Sequence, residues 1–156
     1  LLFVNLIQAG ALFFKSDHVV LLPPEVHHGF WVERGQVSAS YLEEMSTFFT
    51  HLVLDVSPKS APYQRDMLLR YVLPETHGPL QTQLNMDAAR LAKENATTSF
   101  QVSEVKVMPE TLTVEVWGDL VTFVGQKHIS QKRTGYTMTF VLKSGRLFLT
   151  SFQGVA

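Results

Sequence analysis

The feature that most constrains this chain is a change of hydrophobic period at Thr97. Before it, apolar residues recur every three or four positions; after it, they alternate. Ser40 and Glu43 form a capping box, the hydroxyl accepting from one orphan amide while the carboxylate reaches back to another. Behind it Tyr41, Met45, Phe48 and Leu52 follow at helical spacing, with Leu42, Phe49 and Val53 widening the stripe, until Ser57-Pro58 breaks the helix. A second helix is predicted from about Ala61 to Val72, with Met67, Leu68, Tyr71 and Val72 as its apolar side, ended by Pro74. A third opens at His77-Gly78-Pro79, Pro79 suiting the first turn. It carries Leu80, Leu84, Ala88, Leu91 and Ala92 inward and Arg90, Lys93 and Glu94 outward, and frays at Asn95.

Downstream, Phe100 and Val102 alternate, and Val105 and Val107 continue in the opposite phase, which predicts a β-bulge at Ser103-Glu104. Pro109-Glu110 is a turn. Leu112, Val114 and Val116 face one way and Trp117, Val121 and Phe123 the other, with Gly118 between the two sets, where a bend is cheap. After a turn at Gly125-Gln126, a long strand runs from His128 to Lys143 with Tyr136, Met138, Phe140 and Leu142 alternating. Ser144-Gly145 is a two-residue hairpin loop. Arg146 to Gln153 is the last strand, expected to place Phe148 and Phe152 on one face and Leu147 and Leu149 on the other. Short turns demand antiparallel neighbours. Three helices followed by four such strands define an α+β fold: three helices packed on a bent four-stranded antiparallel sheet.

The 156 residues suit one domain plus an appendage, and residues 38–156 are assigned to that domain. A net charge of −1 provides no basic field for nucleic acid. The absence of cysteine excludes a disulfide framework, a thiolate metal site and a Cys nucleophile. The appendage begins with LLFVNLIQAGALFF, uncharged through Phe14 and stopped by Lys15, Ser16 and Asp17. Fourteen helical residues rise ~21 Å, whereas a span needs ~20 apolar residues. No Met precedes Leu1, and residues 1–15 are therefore read as the trailing part of a transmembrane helix. Its anchoring residues are Leu1, Leu2, Phe3, Val4, Leu6, Ile7, Leu12, Phe13 and Phe14. The competing readings are a buried core helix and a signal-peptide remnant.

Residues 16–37 show neither period, and Pro23-Pro24 enforces extended backbone. Flexible linkers are polar, yet this one holds Val19, Val20, Leu21, Leu22, Phe30 and Trp31. The segment is therefore expected to lie against its own domain or a partner. Leu21, Leu22, Pro23, Pro24, Phe30 and Trp31 are the candidate protein contacts.

The order of several short strings now carries a resemblance. They are Leu21-Leu22-Pro23-Pro24, Phe30-Trp31-Val32, Tyr41-Leu42-Glu43-Glu44-Met45, Leu68-Leu69-Arg70-Tyr71, Leu112-Thr113-Val114-Glu115-Val116, Gly118 to Gly125, and Gly145-Arg146-Leu147-Phe148-Leu149. In this order, behind an apolar start, they resemble the TraE family, inner-membrane assembly components of conjugative type IV secretion systems. The resemblance implies a single-pass inner-membrane protein with a short cytoplasmic N-terminus and a periplasmic domain of nuclear-transport-factor-2-like fold. It implies no enzymatic activity and no cofactor. The implied partners are further copies of the chain, other inner-membrane and periplasmic channel components, and the inner membrane, without sequence-specific nucleic-acid binding. A branch of the wider family carries Asn-Pro-x-Gly, whereas this chain has Leu73-Pro74-Glu75-Thr76-His77-Gly78, so contacts of that motif do not transfer.

Other chemistry is thinly represented. His27-His28 lack a third ligand at suitable spacing, and adjacent side chains in extended backbone diverge. Glu104, Glu115 and Asp119 fall in or near strands, and Asp119, beside Leu120 and Val121, is the best of them for acid–base work. There is no phosphate loop or nucleophile elbow, and the Asn95-Ala96-Thr97 sequon is incidental. The alternative function is a small-molecule-binding or isomerase-like domain with Asp119 or Tyr136 pointing into an apolar pocket; a third reading is a soluble, partner-free protein whose N-terminal run packs into its own core. The last strand is a candidate sheet edge, open to strand addition.

Overall fold

A computed structural model describes residues 32–33 and 36–155. The anchor residues 1–14 and the contact residues 21–24, 30 and 31 lie outside them, as do His27 and His28. A two-residue antiparallel pair, β1 (Val32–Glu33) with β2 (Gln36–Val37), precedes the three helices. These are α1 (Ala39–Leu54), α2 (Ala61–Leu69) and α3 (Pro74–Glu94). Four strands follow: β3 (Ala96–Met108), β4 (Thr113–Val124), β5 (Lys127–Lys143) and β6 (Arg146–Gly154). They form one antiparallel sheet in the order β3-β4-β5-β6, as the short turns require.

The helix boundaries differ from the sequence reading for local reasons. Ser38, not Ser40, caps α1: its backbone is extended and its Oγ accepts from the Tyr41 N–H at 3.3 Å. Capping there leaves Val37 in β2 with its side chain in the core. The buried face of α1 is correspondingly rotated by one position. Leu42, Ser46 and Phe49 are fully buried, while Tyr41, Met45 and Leu52 flank them and Phe48 is 38% exposed. The second helix stops at Leu69 because Val72 leaves it to bridge Leu149 of β6, the Leu149 N–H donating to the Tyr71 carbonyl at 2.8 Å. Pro74 then begins α3 rather than merely ending α2. Leu73 before it is extended, and proline in the first turn forfeits no helical donor. Pro79 lies inside α3, where it leaves the Glu75 carbonyl without its helical N–H. Of the expected inward positions of α3, Leu80 and Leu91 are buried and Ala92 is exposed. Asn95 ends α3 in the left-handed conformation, a regular C-cap in place of fraying.

The sheet follows the alternation with two informative bulges. The expected one is present: the β3–β4 register shifts between Val102 and Glu104. Gly118 pairs with Val102 at that point, and a Cβ on it would fall 2.2 Å from the Gln101 carbonyl oxygen, so the bend admits only glycine. The second was not anticipated. Ser151 faces Thr139 and Leu149 faces Phe140, which leaves Thr150 as an extra residue in β6. The phase flips there, so Leu147, Leu149 and Phe152 are all buried and Phe148 takes the other face, correcting the expected split.

The bent sheet closes on α1. Phe49 stacks on Phe140 at 5.8 Å between ring centroids and meets Tyr71 edge-on at 5.4 Å. Leu42, Val114, Val116, Met138 and Leu149 complete the fully buried centre. Burying each large side chain contributes roughly 1.5–3 kcal/mol. The end of α1 is tied to the sheet by backbone: Val56 and Thr98 exchange hydrogen bonds of 3.1 and 2.9 Å, and Asp55 Oδ1 accepts from the Phe100 N–H at 2.6 Å.

Candidate functional site: the open edge of the sheet beside the third helix

The outer edge of β6 begins a fifth strand position and then abandons it. Tyr71 and Val72 pair beside Leu149, but Leu73-Pro74 turns the chain away into α3. Among the described residues nothing pairs with β6 beyond Leu149 on that side. The Val155 N–H donates to the Gly135 carbonyl at 2.8 Å, and the alternation of an antiparallel ladder then turns the backbone groups of Phe152 and Gly154 outward. The result is a groove of about 290 Å³ between the strand edge (Thr150, Ser151, Phe152, Gln153) and the wall of α3 (Glu75, Thr76, Pro79, Leu80, Gln83). Its charged neighbours neutralise each other: the Glu75 carboxylate lies 3.6 Å from the Lys143 ammonium. A local backbone hydrogen bond, seconded by Lys143, holds the Glu75 carboxyl below the usual carboxylate range. The last strand was a candidate edge in the sequence; the helical wall was not legible there, because it depends on Pro74 starting α3.

A second cleft, about 240 Å³, opens between α3 and the sheet and is lined in part by Leu54, Gln83, Asp87, Arg90, Tyr136 and Phe152. Burial pushes the Tyr136 hydroxyl above its ordinary range, opposed by a hydrogen bond with Thr134. Tyr136 thus faces a cleft, as the ligand-binding alternative expected, but Asp119 does not line it. Asp119 sits beside Gln131, whose Nε2 donates to its carboxylate at 3.0 Å. Glu104 lies 3.9 Å from Arg133, and Glu115 pairs across strands with Lys106 and Thr137. The structure does not gather the three carboxylates into one site. The concave face that an isomerase-like pocket would need is filled by Met138 and Phe140 packed against Phe49. Among the described residues no three His, Asp or Glu side chains converge as a metal site, and no helix is long and apolar enough to cross a membrane.

The fold and the chain order have counterparts. A protein called TraE from Escherichia coli strain K12 is 26% identical over 138 residues, covering 88% of this chain and 73% of its own length. A Salmonella typhi TraE is 24% identical over 130 residues, 83% of this chain and 70% of that protein. A solved TraE in complex with 2-chloroisonicotinic acid superposes with a TM-score of 0.62 at 11% identity, over 75% of this chain and 95% of that one. Agrobacterium tumefaciens VirB8 gives 0.56 at 12% identity, over 74% and 90%. The TraE protein family matches residues 1–154, from the apolar start to the last strand, and the chain therefore belongs to the TraE family.

Proposed function

We propose that this chain is a single-pass inner-membrane scaffold of a conjugation channel and pilus, anchored through residues 1–15 and oligomerising through a periplasmic domain of residues 38–156. Its membership of the TraE family makes it a component of conjugative type IV secretion and not an enzyme. The observation that carries the finer reading is that the family match extends from the uncharged run Leu1–Phe14 to Gly154. The apolar strap that follows, with Leu21, Leu22, Pro23, Pro24, Phe30 and Trp31, supplies contact residues between membrane and domain. The partners in this reading are further copies of the chain and other inner-membrane and periplasmic channel components.

Flotation of the chain with proteoliposomes tests the anchor. Co-flotation that is lost when Leu6 and Leu12 are both replaced by Asp supports it, because a carboxylate in a spanning helix costs about 2.5–3.5 kcal/mol at the bilayer centre. A chain that stays in the aqueous fraction with its native N-terminus restored contradicts it.

A further inference from the structure

We infer that residues Val19–Leu22 of this chain add as a short strand to the outer edge of β6, in the groove walled by α3. The groove has the two components that recognise an extended peptide: outward backbone groups at Phe152 and Gly154, and a facing helical wall from Glu75 to Gln83. Its surface is suited to an uncharged apolar occupant. From Leu147 to Gly154 the edge carries no charge, Pro79, Leu80 and Phe152 are apolar, and Glu75 is already paired with Lys143.

Val19-Val20-Leu21-Leu22 matches these demands. It has no charge, two of its four residues are β-branched, and its four residues fit within the open edge Thr150–Gly154. Pro23 and Pro24 lack N–H donors and end such pairing at Leu22. The reach is sufficient within one chain. Residues 23–31 span up to ~30 Å when extended. They lead into β1, whose partner β2 packs on the 3-10 turn Pro109–Thr111. The next residues, Thr113 of β4, Thr139 of β5 and Ser151 of β6, lie side by side, so a strand added outside β6 is three strand spacings away, ~15 Å. A docked strap would complete the strand position that Tyr71-Val72 begin, and would hold the domain at a set distance from whatever residues 1–15 are attached to. The inference does not depend on those residues spanning a bilayer.

The chain has no cysteine, so any disulfide in a two-site variant is the engineered one. In the full chain in detergent, Leu21→Cys is combined with Gln153→Cys, an exposed position in the groove, or with Lys132→Cys, an exposed position on β5. A disulfide needs the two Cβ atoms ~3.8 Å apart. The expected result is an intramolecular 21–153 bond forming at least about tenfold faster than a 21–132 bond, as the raised effective concentration of a docked segment requires. Equal rates for the two pairs overturn the inference. A 21–153 bond found only between two chains also overturns it, and assigns the groove to the strap of a second copy.

Discussion

Two stretches of sheet edge, on β5 and on β6, are chemically opposite. Along β5, pairing with β6 ends where Val155 reaches Gly135, and the strand runs on alone at that edge back to Lys127. All residues from Lys127 to Arg133 are exposed, and three of the seven are charged. Arg133 is further engaged sideways, donating to Ser103 Oγ at 3.2 Å and lying 3.9 Å from Glu104. The edge of β6 is short, uncharged and backed by a helix. Charge on an edge resists strand addition. One stretch is therefore protected against pairing and the other is receptive, within a single sheet of continuous hydrogen bonding. Strand identity alone does not distinguish them; the difference lies in which residues accompany the edge.

The largest test of this contrast compares the supported and unsupported halves of β5. Phe140→Ala, which empties the stack against Phe49, is expected to lower unfolding free energy by about 3–5 kcal/mol. Ile129→Ala, on the exposed half, is expected to change it by less than about 0.5 kcal/mol. Urea denaturation of the detergent-solubilised chain reads both, and similar losses would break the comparison. At the junction, a Cβ on Gly135 would lie 2.7 Å from the Trp117 ring. Gly135→Ala is expected to cost about 1–3 kcal/mol by overpacking, with a change in Trp117 fluorescence reporting the displaced ring.

Smaller effects sharpen the picture. Ser46 is fully buried on α1 and its hydroxyl has no hydrogen-bond partner among the described residues. Ser46→Ala is expected to raise stability by about 1 kcal/mol, seen as a higher urea midpoint at unchanged slope. The smallest effect belongs to Glu75 at the mouth of the groove. Its folded carboxyl titrates lower than the unfolded one, so its contribution is present above the unfolded value and lost as pH falls through the folded value. Replacing Glu75 with Gln is expected to lower the neutral plateau slightly and so flatten the acid limb; an unchanged profile would show both the backbone hydrogen bond and the Lys143 pair to be idle.

Much of this was readable in the chain, and the misreadings share a cause. The period change at Thr97, the bulge at Ser103 and the hairpin at Ser144-Gly145, both with positive φ, follow from local patterning and turn chemistry. Ser40 fitted a capping box, but the cap went to Ser38 because Val37 belongs in the core. Val72 fitted a helix, but its backbone was claimed by Leu149. Thr150 disturbs an alternation that reads cleanly as LFLTSF, and only the partner strand shows which residue is extra. In each case a contact distant in sequence overrode a local preference. The groove was illegible for the same reason: its wall and its floor are about seventy residues apart. The link from Asp55 to the Phe100 amide was missed as well, since a lone Asp after a helix carries no signal of the strand it will meet.

Amide hydrogen exchange on the full chain tests the contrast between the edges most directly. With a strand seated in the groove, the outward amides of Phe152 and Gly154 are protected although no described residue accepts from them, while those of Gln131 and Arg133 exchange at the rate of an open edge. Exchange of Phe152 and Gly154 as fast as Gln131 and Arg133 would contradict the account and leave the β5 and β6 stretches equally bare.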